Sequence, residues 1–527
     1  MGSWVPQACG APRASANAQG MKHALTTTRA QNFAAWYQEV ISEADLAEES
    51  GVRGCMVIRP WGYGIWERIQ KLMDAQIKLA GVENCYFPLF IPLSFFEKEA
   101  DHVEGFAKEM AVVTHHRLIG DGKGKLVPDP DSKLEEPLVV RPTSETVIGA
   151  AMSRWIQSWR DLPMLTNQWA NVVRWEMRTR MFLRTSEFLW QEGHTAHADR
   201  ADAMTETLRA LEMYRAFAQG PLAMPVVAGE KPENERFPGA VATYSIEAMM
   251  QDGKALQAGT SHYLGTGFAE AAGIRYQDKE GAQQYCHTTS WGVSTRLIGG
   301  VIMTHGDDDG LRCPPQVAPQ QVVIIPMLRD TDEDEAILDY CRSLATDLRA
   351  QSAFGEPLRV LLDTKATKAS TKRWAWVKKG APILVEVGPR DVAGGNVAVL
   401  RRDRLYKDDG KLASAFIPRE EFVGSVADTL IDIEQALFTE AKDRMDANIR
   451  RDVTDLAAHF AGDDTFVGWV EVQWARPTGD ALSKIVDQLK ALKLTMRNTP
   501  QDAAPADGLC FFTGEKAVER ILIGRTY

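Results

Sequence analysis

A short polar cluster, "RPTSET" at 141–146, stands directly after the apolar run "PLVV". The apolar run predicts a buried strand, so a cation, three hydroxyls and a carboxylate are expected together where that strand ends. This grouping makes the segment a candidate ligand site. A structural alternative is that Thr143 or Ser144 caps the helix predicted from "ETVIGAAM", because Ser and Thr are favoured at helix N-caps.

A second candidate site is the segment "NVVRWEMRTRMFLRTSEFLWQEGHTAH" at 171–197, which predicts an antiparallel hairpin with an arginine-rich loop. Side chains alternate along a strand, so Arg174 and Glu176 are expected on one face. The return strand places four side chains on one face: Phe188, Trp190, Glu192 and His194. Charged and aromatic groups would therefore converge over one sheet surface. The alternative is an exposed amphipathic hairpin with incidental salt bridges.

The third candidate is an arginine at the start of an apolar helix. The segment at 287–315 begins as a strand of small residues and continues into "RLIGGVIM", whose first residue is Arg296. Burying a guanidinium costs free energy unless an anion or an aromatic ring receives it. Arg296 is therefore expected either to meet such a partner or to extend from the helix end into solvent.

The 527 residues are enough for several domains with separate cores. Helical periodicity mixed with strand-like runs predicts an α+β domain over 25–319 that contains all three candidate sites. A βαβαββ order over 320–417 predicts a small, mostly parallel sheet covered by helices. Residues 418–527 begin with a long helix and continue as a small α+β domain, whereas 1–24 are expected to be a disordered extension.

The composition is that of an ordinary globular enzyme, with 45% hydrophobic and 25% charged residues. No apolar run approaches the roughly 18 residues of a membrane span, so we expect a cytoplasmic protein without a membrane partner. A net charge of −11 excludes a surface that is basic throughout but allows a local basic patch.

The seven cysteines are scattered without a CxxC pair, which argues against a disulfide framework or a zinc ribbon. "EGHTAH" puts two histidines on opposite strand faces and "HGDDDG" lacks the calcium-loop pattern, so neither predicts a metal site.

Together these segments resemble the three signatures of class II aminoacyl-tRNA synthetases. The residues that carry the resemblance are Pro88 at the end of "WERIQKLMDAQIKLAGVENCYFP", Arg174 and Glu176, Arg184 and Phe188, and the run from Ser290 to Arg296. The strings "RPTSET", "NQWANVVRWE", "LQAGTSHYLG", "SWGVSTR" and "THGDDDGL" further resemble prolyl-tRNA synthetases of the archaeal and eukaryotic type. The resemblance runs from about residue 25 to Tyr527. It implies the class II synthetase fold, with a catalytic domain built on an antiparallel sheet.

The resemblance also implies a two-step reaction with ATP and Mg²⁺. Proline attacks the α-phosphate to give prolyl-adenylate, and tRNA(Pro) then takes the prolyl group. Arg174 and Arg296 are the implied catalytic arginines, the first on the α-phosphate and the proline carboxylate, the second over the adenine. Phe188 would stack on the opposite adenine face. Further implied nucleotide contacts are Glu176, Arg184, Thr185, Gln257 and Ser294.

A proline pocket follows from the same resemblance. The ring nitrogen of proline is a cation with two N–H donors, and Thr143 with Glu145 would supply the acceptors that it needs. The other implied pocket residues are Trp190 and Phe237 as walls, Thr260 and His262 on the polar side, and Arg174 at the carboxylate. Family-like segments fill the span from Arg174 to Arg296, so we expect no inserted editing domain.

The domain at 320–417 resembles the anticodon-binding domain of several synthetases. Its stretch "KATKASTKRWAWVKK" has six cations and no acid, which suits RNA. The expected transfer RNA contacts are Lys372, Arg373, Trp374, Lys378, Lys379 and Arg390. The alternative is a solvated basic helix whose tryptophans face the core. Relatives commonly read Trp-Glu-Leu-Lys-Gly where this chain has Val377 after Trp376, so a base contact from that glutamate does not carry over.

Two further expectations concern assembly and metal. Many relatives bind zinc through four cysteines in the C-terminal domain, but only Cys510 remains here, so we expect no structural zinc. A homodimer through the Pro88 region is implied by resemblance. The remaining alternative is a catalytically inactive synthetase-like protein that binds RNA or regulates a partner, and the retention of Arg174, Arg296 and Glu145 argues against it.

Overall fold

The computed structural model describes residues 23–97, 110–462 and 467–527. Nearly all of the predicted N-terminal extension lies outside the described residues. The Ala24 N–H donates a hydrogen bond to Asp309 at 2.8 Å, and Leu25 is buried. The described chain is therefore already held against the first domain at residue 24.

The first domain contains helices and many short strands. Its helices are α1 (Phe33–Glu43), α2 (Pro60–Leu79), α3 (Leu93–Glu97), α4 (Glu145–Trp155), α5 (Arg200–Gln219), α6 (Gly267–Ala272) and α7 (Arg296–His305). Its strands are β1 (Ala47–Glu49), β2 (Met56–Ile58), β3 (Glu83–Asn84), β4 (Phe90–Pro92), β5 (Val112–His115), β6 (Leu118–Gly120), β7 (Leu126–Pro128), β8 (Lys133–Val140), β9 (Met164–Val173), β10 (Glu187–His197), β11 (Val226–Glu230), β12 (Ala242–Met249), β13 (Ala255–Gly265), β14 (Arg275–Gln277), β15 (Gln283–Tyr285) and β16 (His287–Ser294). Single 3₁₀ turns lie at Pro130–Ser132, Trp159–Asp161 and Glu233–Glu235.

The second domain is a five-stranded sheet with helices. Its elements are β17 (Val322–Pro326), α8 (Asp334–Arg349), β18 (Ser352–Ala353), β19 (Glu356–Pro357), β20 (Val360–Leu362), α9 (Ala369–Lys379), β21 (Ile383–Val387), α10 (Pro389–Gly394), β22 (Asn396–Arg401) and β23 (Ala415–Pro418). The strand order is β20-β17-β21-β22-β23. β17 runs parallel to both neighbours, but β22 and β23 are antiparallel, so the prediction of a mostly parallel sheet was wrong in its second half. The connection from β21 to β22 is too short for the crossover that parallel strands need.

The last part of the described chain, which we call the third domain, begins with the predicted long helix, whose buried residues Phe422, Val426 and Leu430 pack into the core of the second domain. Its elements are α11 (Arg419–Ala447), β24 (Ile449–Arg450), α12 (Leu456–His459), β25 (Trp469–Trp474), α13 (Gly479–Ala491), β26 (Thr495–Met496), β27 (Thr499–Pro500) and β28 (Glu519–Gly524). β24, β25, β28 and β26 form a sheet over their own apolar core. β27 is not part of this sheet and pairs with β11 of the first domain.

An eight-stranded sheet is the frame of the first domain, in the order β27-β11-β12-β13-β16-β10-β9-β3. All its pairings are antiparallel except that of β3 with β9. The buried face of α5 and the apolar helix α7 pack against this sheet in the largest core. The other face of β10, β13 and β16 is left to form the candidate site.

Gly193 is required where β10 passes β16. It lies opposite Trp291, and a Cβ atom on Gly193 would come within 2.1 Å of the Trp291 ring. Trp291 is itself buried against Tyr214. We expect Gly193→Ala to lower the free energy of unfolding by about 1–3 kcal/mol, as overpacked cores do. Chemical denaturation measures this, with Gly120→Ala as the control because a Cβ there meets no atom within 4 Å. Equal stability of the two variants would contradict the prediction.

Ion pairs join the three domains. Arg402 of the second domain is buried and pairs with Asp307 at 2.7 Å, and Arg312 makes a bidentate pair with Glu440 of α11 at 2.7 and 2.8 Å. The acidic run "HGDDDG" thus serves a domain contact through Asp307. Among the described residues, no group of three or more His, Cys, Asp or Glu side chains is arranged to hold a metal. No helix in the described ranges is long and apolar enough to cross a membrane.

Candidate active site

A cavity of about 250 Å³ opens over β10, β13 and β16. We call it the inner cavity. It brings together most of the residues predicted from the sequence: Thr143, Glu145, Arg174, Phe188, Trp190, Phe237, Gln257, Thr260, His262, Ser294 and Arg296. The predicted face of β10 is confirmed, because Phe188, Trp190, Glu192 and His194 all line this cavity.

Arg174 lies just after β9, not within it as the hairpin prediction required. β9 ends at Val173, and the Arg174 backbone is held by a hydrogen bond to the Ser186 carbonyl oxygen at 2.8 Å. Its Nε donates to the Pro142 carbonyl oxygen at 2.8 Å, and the guanidinium lies 5.6 and 5.4 Å from the ring centres of Phe188 and Trp190. Desolvation lowers the pKa of Arg174, although Glu145 and Glu192 oppose this. The cation is therefore fixed and poorly hydrated, which favours an incoming anion.

The start of α4 carries the "RPTSET" cluster to the cavity. Ser144 occupies the N-cap position, but its side chain does not cap the helix. Its hydroxyl donates instead to the Glu192 carboxylate at 2.6 Å. The Thr143 hydroxyl donates to the Glu145 carboxylate. The capping alternative is thus wrong for the Ser144 hydroxyl, and Thr143 and Glu145 present a joined hydroxyl and carboxylate to the cavity.

Glu192 and His194 form a buried pair in the lining of the inner cavity. The sequence placed both on the correct strand face but suggested no role for them. Their side chains meet at 2.9 Å. Burial opposes the charge on both, yet the mutual hydrogen bond lowers the pKa of Glu192 and raises the pKa of His194. Glu192 also accepts the hydrogen bond from Ser144 and so ties β10 to the start of α4.

Phe237 and His262 form the opposite wall. Their ring centres lie 4.6 Å apart. The His262 ring nitrogen Nδ1 shares a hydrogen bond with the Thr243 hydroxyl at 3.0 Å. Burial, and then the nearby charges of Lys231 and His194, lower the pKa of His262 to about 3. The imidazole is therefore neutral at pH 7.

A second cavity of about 640 Å³, the outer cavity, adjoins the inner one. The two share Lys231, Glu235, Gln257 and Arg296. The outer cavity is rich in cations: Arg53, Arg178, Arg180, Arg184, Lys231, Lys254, Arg296 and Arg497. Such a concentration of positive charge suits a polyphosphate.

Arg296 stands at the start of α7, between the two cavities. Its Nε donates to the Leu183 carbonyl oxygen at 3.1 Å. Desolvation and the neighbouring Arg174 and Arg184 lower the pKa of Arg296 to about 10. Among the described residues, no carboxylate lies within hydrogen-bonding distance of the half-buried Arg296 guanidinium, which lines both cavities.

Two predicted nucleotide residues lie at the margin. Glu176 accepts a hydrogen bond from the Arg178 N–H at 2.7 Å and lies 3.7 Å from Arg184. Thr185 is buried and lines a separate cavity beside α1, so its side chain is not brought into either cavity described above. The sequence reasoning also missed Lys231 and Arg497, which no signature or periodicity had singled out.

The predicted transfer RNA surface is not one exposed patch. Lys372, predicted to contact transfer RNA, is not available at the surface, because it is buried and its Nζ donates to the Asp363 carbonyl oxygen at 2.8 Å. Arg373 makes a bidentate pair with Glu386, and Lys379 pairs with Asp45 at 2.8 Å. The remaining predicted contacts differ: Lys378 pairs with Glu43, Trp374 packs against the core and Arg390 is exposed. The tryptophans face the core, as the alternative held.

Known proteins show the same organisation. Residues 129–305 match the tRNA synthetase class II core domain (G, H, P, S and T), and residues 321–426 match the anticodon binding domain. A proline–tRNA ligase from Sphingopyxis alaskensis is 80% identical over 507 residues, which are 96% of each chain. The chain belongs to the prolyl-tRNA synthetases.

Two solved structures of the Cryptosporidium parvum prolyl-tRNA synthetase share the fold. The complex with halofuginone and AMPPNP gives a TM-score of 0.85 at 36% identity, over 96% of this chain and 97% of that one. The complex with L-proline and AMP gives 0.84 at 35% identity over the same shares.

Family membership confirms the predicted class II fold and the predicted ligase activity, in which proline is joined to transfer RNA. Nothing in these matches supports the alternative of an inactive RNA-binding protein. The narrower archaeal and eukaryotic assignment gains no support from the S. alaskensis relative, which is bacterial.

Proposed function

We propose that the inner cavity binds L-proline, that ATP occupies the outer cavity, and that the two react where the cavities meet. The observation that carries this is that Arg296 lines both cavities where they meet, while Arg174, Thr143 and Glu145 line the inner cavity. The C. parvum enzyme with bound L-proline and AMP supports a site for both ligands on this fold.

On the proline side, the ring nitrogen would donate to Thr143 and Glu145, which are already joined by a hydrogen bond. Trp190 and Phe237 would contact the ring. Neutral His262, with Thr260, would complete the polar side without repelling the ammonium. A cavity of about 250 Å³ has room for a small amino acid.

On the ATP side, the adenine would reach from the outer cavity into the inner one, where Phe188 and Arg296 would hold its two faces. The other proposed nucleotide contacts are Glu176, Arg184, Gln257 and Ser294, with Thr185 contributing through its backbone. Mg²⁺ would enter with ATP, and the carboxylate of Glu235, which lines both cavities, fits its preference for one or two carboxylates beside phosphate oxygens. When bound, the ion would neutralise phosphate charge.

In the first step, a proline carboxylate oxygen forms a bond to the α-phosphorus and the bond to pyrophosphate breaks. Arg174 orients the carboxylate and stabilises charge on the transferring phosphoryl group. In the second step, a terminal ribose hydroxyl of tRNA(Pro) attacks the prolyl carbonyl carbon and AMP leaves. The Arg174 guanidinium is fixed by the Pro142 carbonyl oxygen before substrate arrives, so little reorganisation of this side chain is needed in the first step.

Amino-acid-dependent exchange of pyrophosphate into ATP, without transfer RNA, tests this function. We expect strong exchange with proline and weak exchange with alanine, because missing methylenes are worth only about 1–3 kcal/mol each. Exchange with a different amino acid, or with none of the twenty, would overturn the proposal.

We further propose the insert-free architecture of the archaeal and eukaryotic type. The supporting observation is that the described chain from Arg174 to Arg296 consists of α5, α6 and strands that build or flank the catalytic sheet. No editing of mischarged alanyl-tRNA is then expected from this chain.

The exposed apolar residues Tyr86 and Phe90 flank Pro88 and support a homodimer through that surface. We place the enzyme in the cytoplasm, where its transfer RNA and ATP are available.

The third domain is proposed to need no zinc. Cys510 is buried, and its N–H donates to the Glu515 carbonyl oxygen at 2.7 Å, so the loop is closed by the backbone. We expect dialysis against a strong chelator to leave the Tm unchanged. The exchange rate should return in full once Mg²⁺ alone is restored. Thermal unfolding and metal analysis check this. A fall in Tm that zinc, but not magnesium, reverses would contradict it.

A further inference from the structure

A buried charge cluster links the third domain to the junction of the two cavities. Its members are Lys231 just after β11, Glu247 on β12, and Arg497 between β26 and β27. All three side chains are almost completely buried, with 4%, 0% and 4% exposure. Burying so many charges costs free energy, so each member is expected to have a defined partner or a ligand.

Arg497 is fully committed to this cluster. Its Nε and Nη2 donate to one Glu247 carboxylate oxygen at 3.2 and 2.8 Å, and its Nη1 donates to the Thr495 hydroxyl at 2.9 Å. The Ser245 hydroxyl donates to the other Glu247 oxygen at 2.8 Å. The charge of Glu247 is thus satisfied by a residue from another domain.

Lys231 is held differently. Its backbone N–H donates to the Thr243 carbonyl oxygen at 2.8 Å, which fixes the start of the side chain. Its ammonium lies 3.8 Å from both Glu235 and Glu247, too far for a direct hydrogen bond to either. Lys231 nevertheless lines both cavities, beside Arg296. An ammonium that is buried, rigidly based and loosely paired at a cation-rich junction is suited to a phosphate.

We propose that Lys231 is an ATP-binding residue whose ammonium contacts phosphate oxygens at the junction, and that Arg497 is a positioning residue that occupies Glu247. Without Arg497, the nearest remaining cation for the buried Glu247 carboxylate is Lys231, so the ammonium would be drawn away from the junction. This proposal rests on the ATP site proposed above. It makes the third domain part of substrate binding.

Steady-state pyrophosphate exchange without transfer RNA tests Lys231. We expect Lys231→Gln to raise the KM for ATP at least about tenfold, as for a lost charge-assisted contact, while the KM for proline changes less than about twofold. An unchanged KM for ATP, or a defect confined to transfer onto transfer RNA, would overturn the assignment.

A double-mutant comparison tests Arg497. We expect Arg497→Gln to raise the KM for ATP in wild-type background but to add less than about twofold to Lys231→Gln, because it acts through that residue. Arg497→Lys keeps a cation for Glu247 and should restore most of the ATP affinity. Independent effects of the two substitutions would overturn the positioning role.

The matched control is Arg476→Gln. Arg476 also joins the third domain to β11, through Glu230 at 3.0 Å, without contacting the cluster. The Arg476→Gln variant should leave the KM for ATP unchanged. A rise equal to that of Arg497→Gln would instead show that docking of the third domain is responsible. Arg296→Ala separates the two proposals. If it raises the KM for ATP and Lys231→Gln does not, only the present inference fails; if neither does, the proposed ATP site fails.

Discussion

Arg174→Ala is expected to reduce proline-dependent pyrophosphate exchange by at least about a thousandfold, the scale of a lost arginine in phosphoryl transfer. Arg174 is fixed by Pro142 and lies against Phe188 and Trp190, so its cation is in place before either substrate binds. Its removal would take away the group that we propose orients the proline carboxylate and stabilises the phosphoryl charge. The measurement is kcat/KM for exchange, together with binding of tRNA(Pro) by filter retention.

Transfer RNA affinity should remain nearly intact, because Arg174 lies inside the cavity and not on the second domain. Arg174→Lys should recover little activity, since a lysine cannot reproduce the planar fork. Arg209→Ala is the control, because that arginine pairs only with Glu206 on α5 in the contacts described. A joint loss of exchange, transfer RNA binding and thermal stability in Arg174→Ala would point to misfolding and against the assigned role.

Glu145→Gln is expected to raise the KM for proline about a hundredfold and to leave the KM for ATP nearly unchanged. The substitution keeps the shape of the side chain but removes the charge that, in the proposed site, would pair with the ring ammonium. Hydrogen bonds to charged groups are roughly twice as strong as neutral ones. The Thr143 hydroxyl, which now donates to Glu145, and the amide oxygen of the glutamine would remain as neutral acceptors at this position. Exchange kinetics at varied proline and saturating ATP give the comparison.

The control for this variant is Glu270→Gln. Glu270 also lies in the first turn of a helix and accepts a hydrogen bond from a threonine, Thr266, at 2.7 Å, but it lies outside both cavities. It should behave as the wild type. If Glu145→Gln had the proline KM of that control, the amine would have to be bound elsewhere.

Much of the site could be predicted because strand periodicity is a local property. The face of β10 with Phe188, Trp190, Glu192 and His194 follows from alternation alone, and the apolar run after Arg296 predicts α7. The sequence did not predict that β9 ends before Arg174. Arg174 still makes one backbone hydrogen bond across the hairpin, to Ser186, and no local signal distinguishes such a residue from the last residue of the strand.

The rest depended on tertiary contacts. Lys372 reads as a surface cation in a basic stretch, but a buried acceptor, the Asp363 carbonyl oxygen, receives it. Arg497 gave no signal, because its partner Glu247 lies 250 positions away in another domain. Pairings over such separations leave no periodic pattern in either segment.

The strand β27 has a consequence for the order in which this enzyme becomes competent during translation. Its residues Thr499 and Pro500 pair with Glu230 and Gly229 at the open edge of the sheet, next to Lys231. A ribosome that has synthesised the whole first domain has therefore not yet supplied the strand that closes it. Until residues 497–500 emerge, β11 keeps an unpaired edge and Glu247 lacks its arginine, so with Arg497 in the role proposed above, tight ATP binding waits for this segment and does not follow from the folding of the catalytic segment alone.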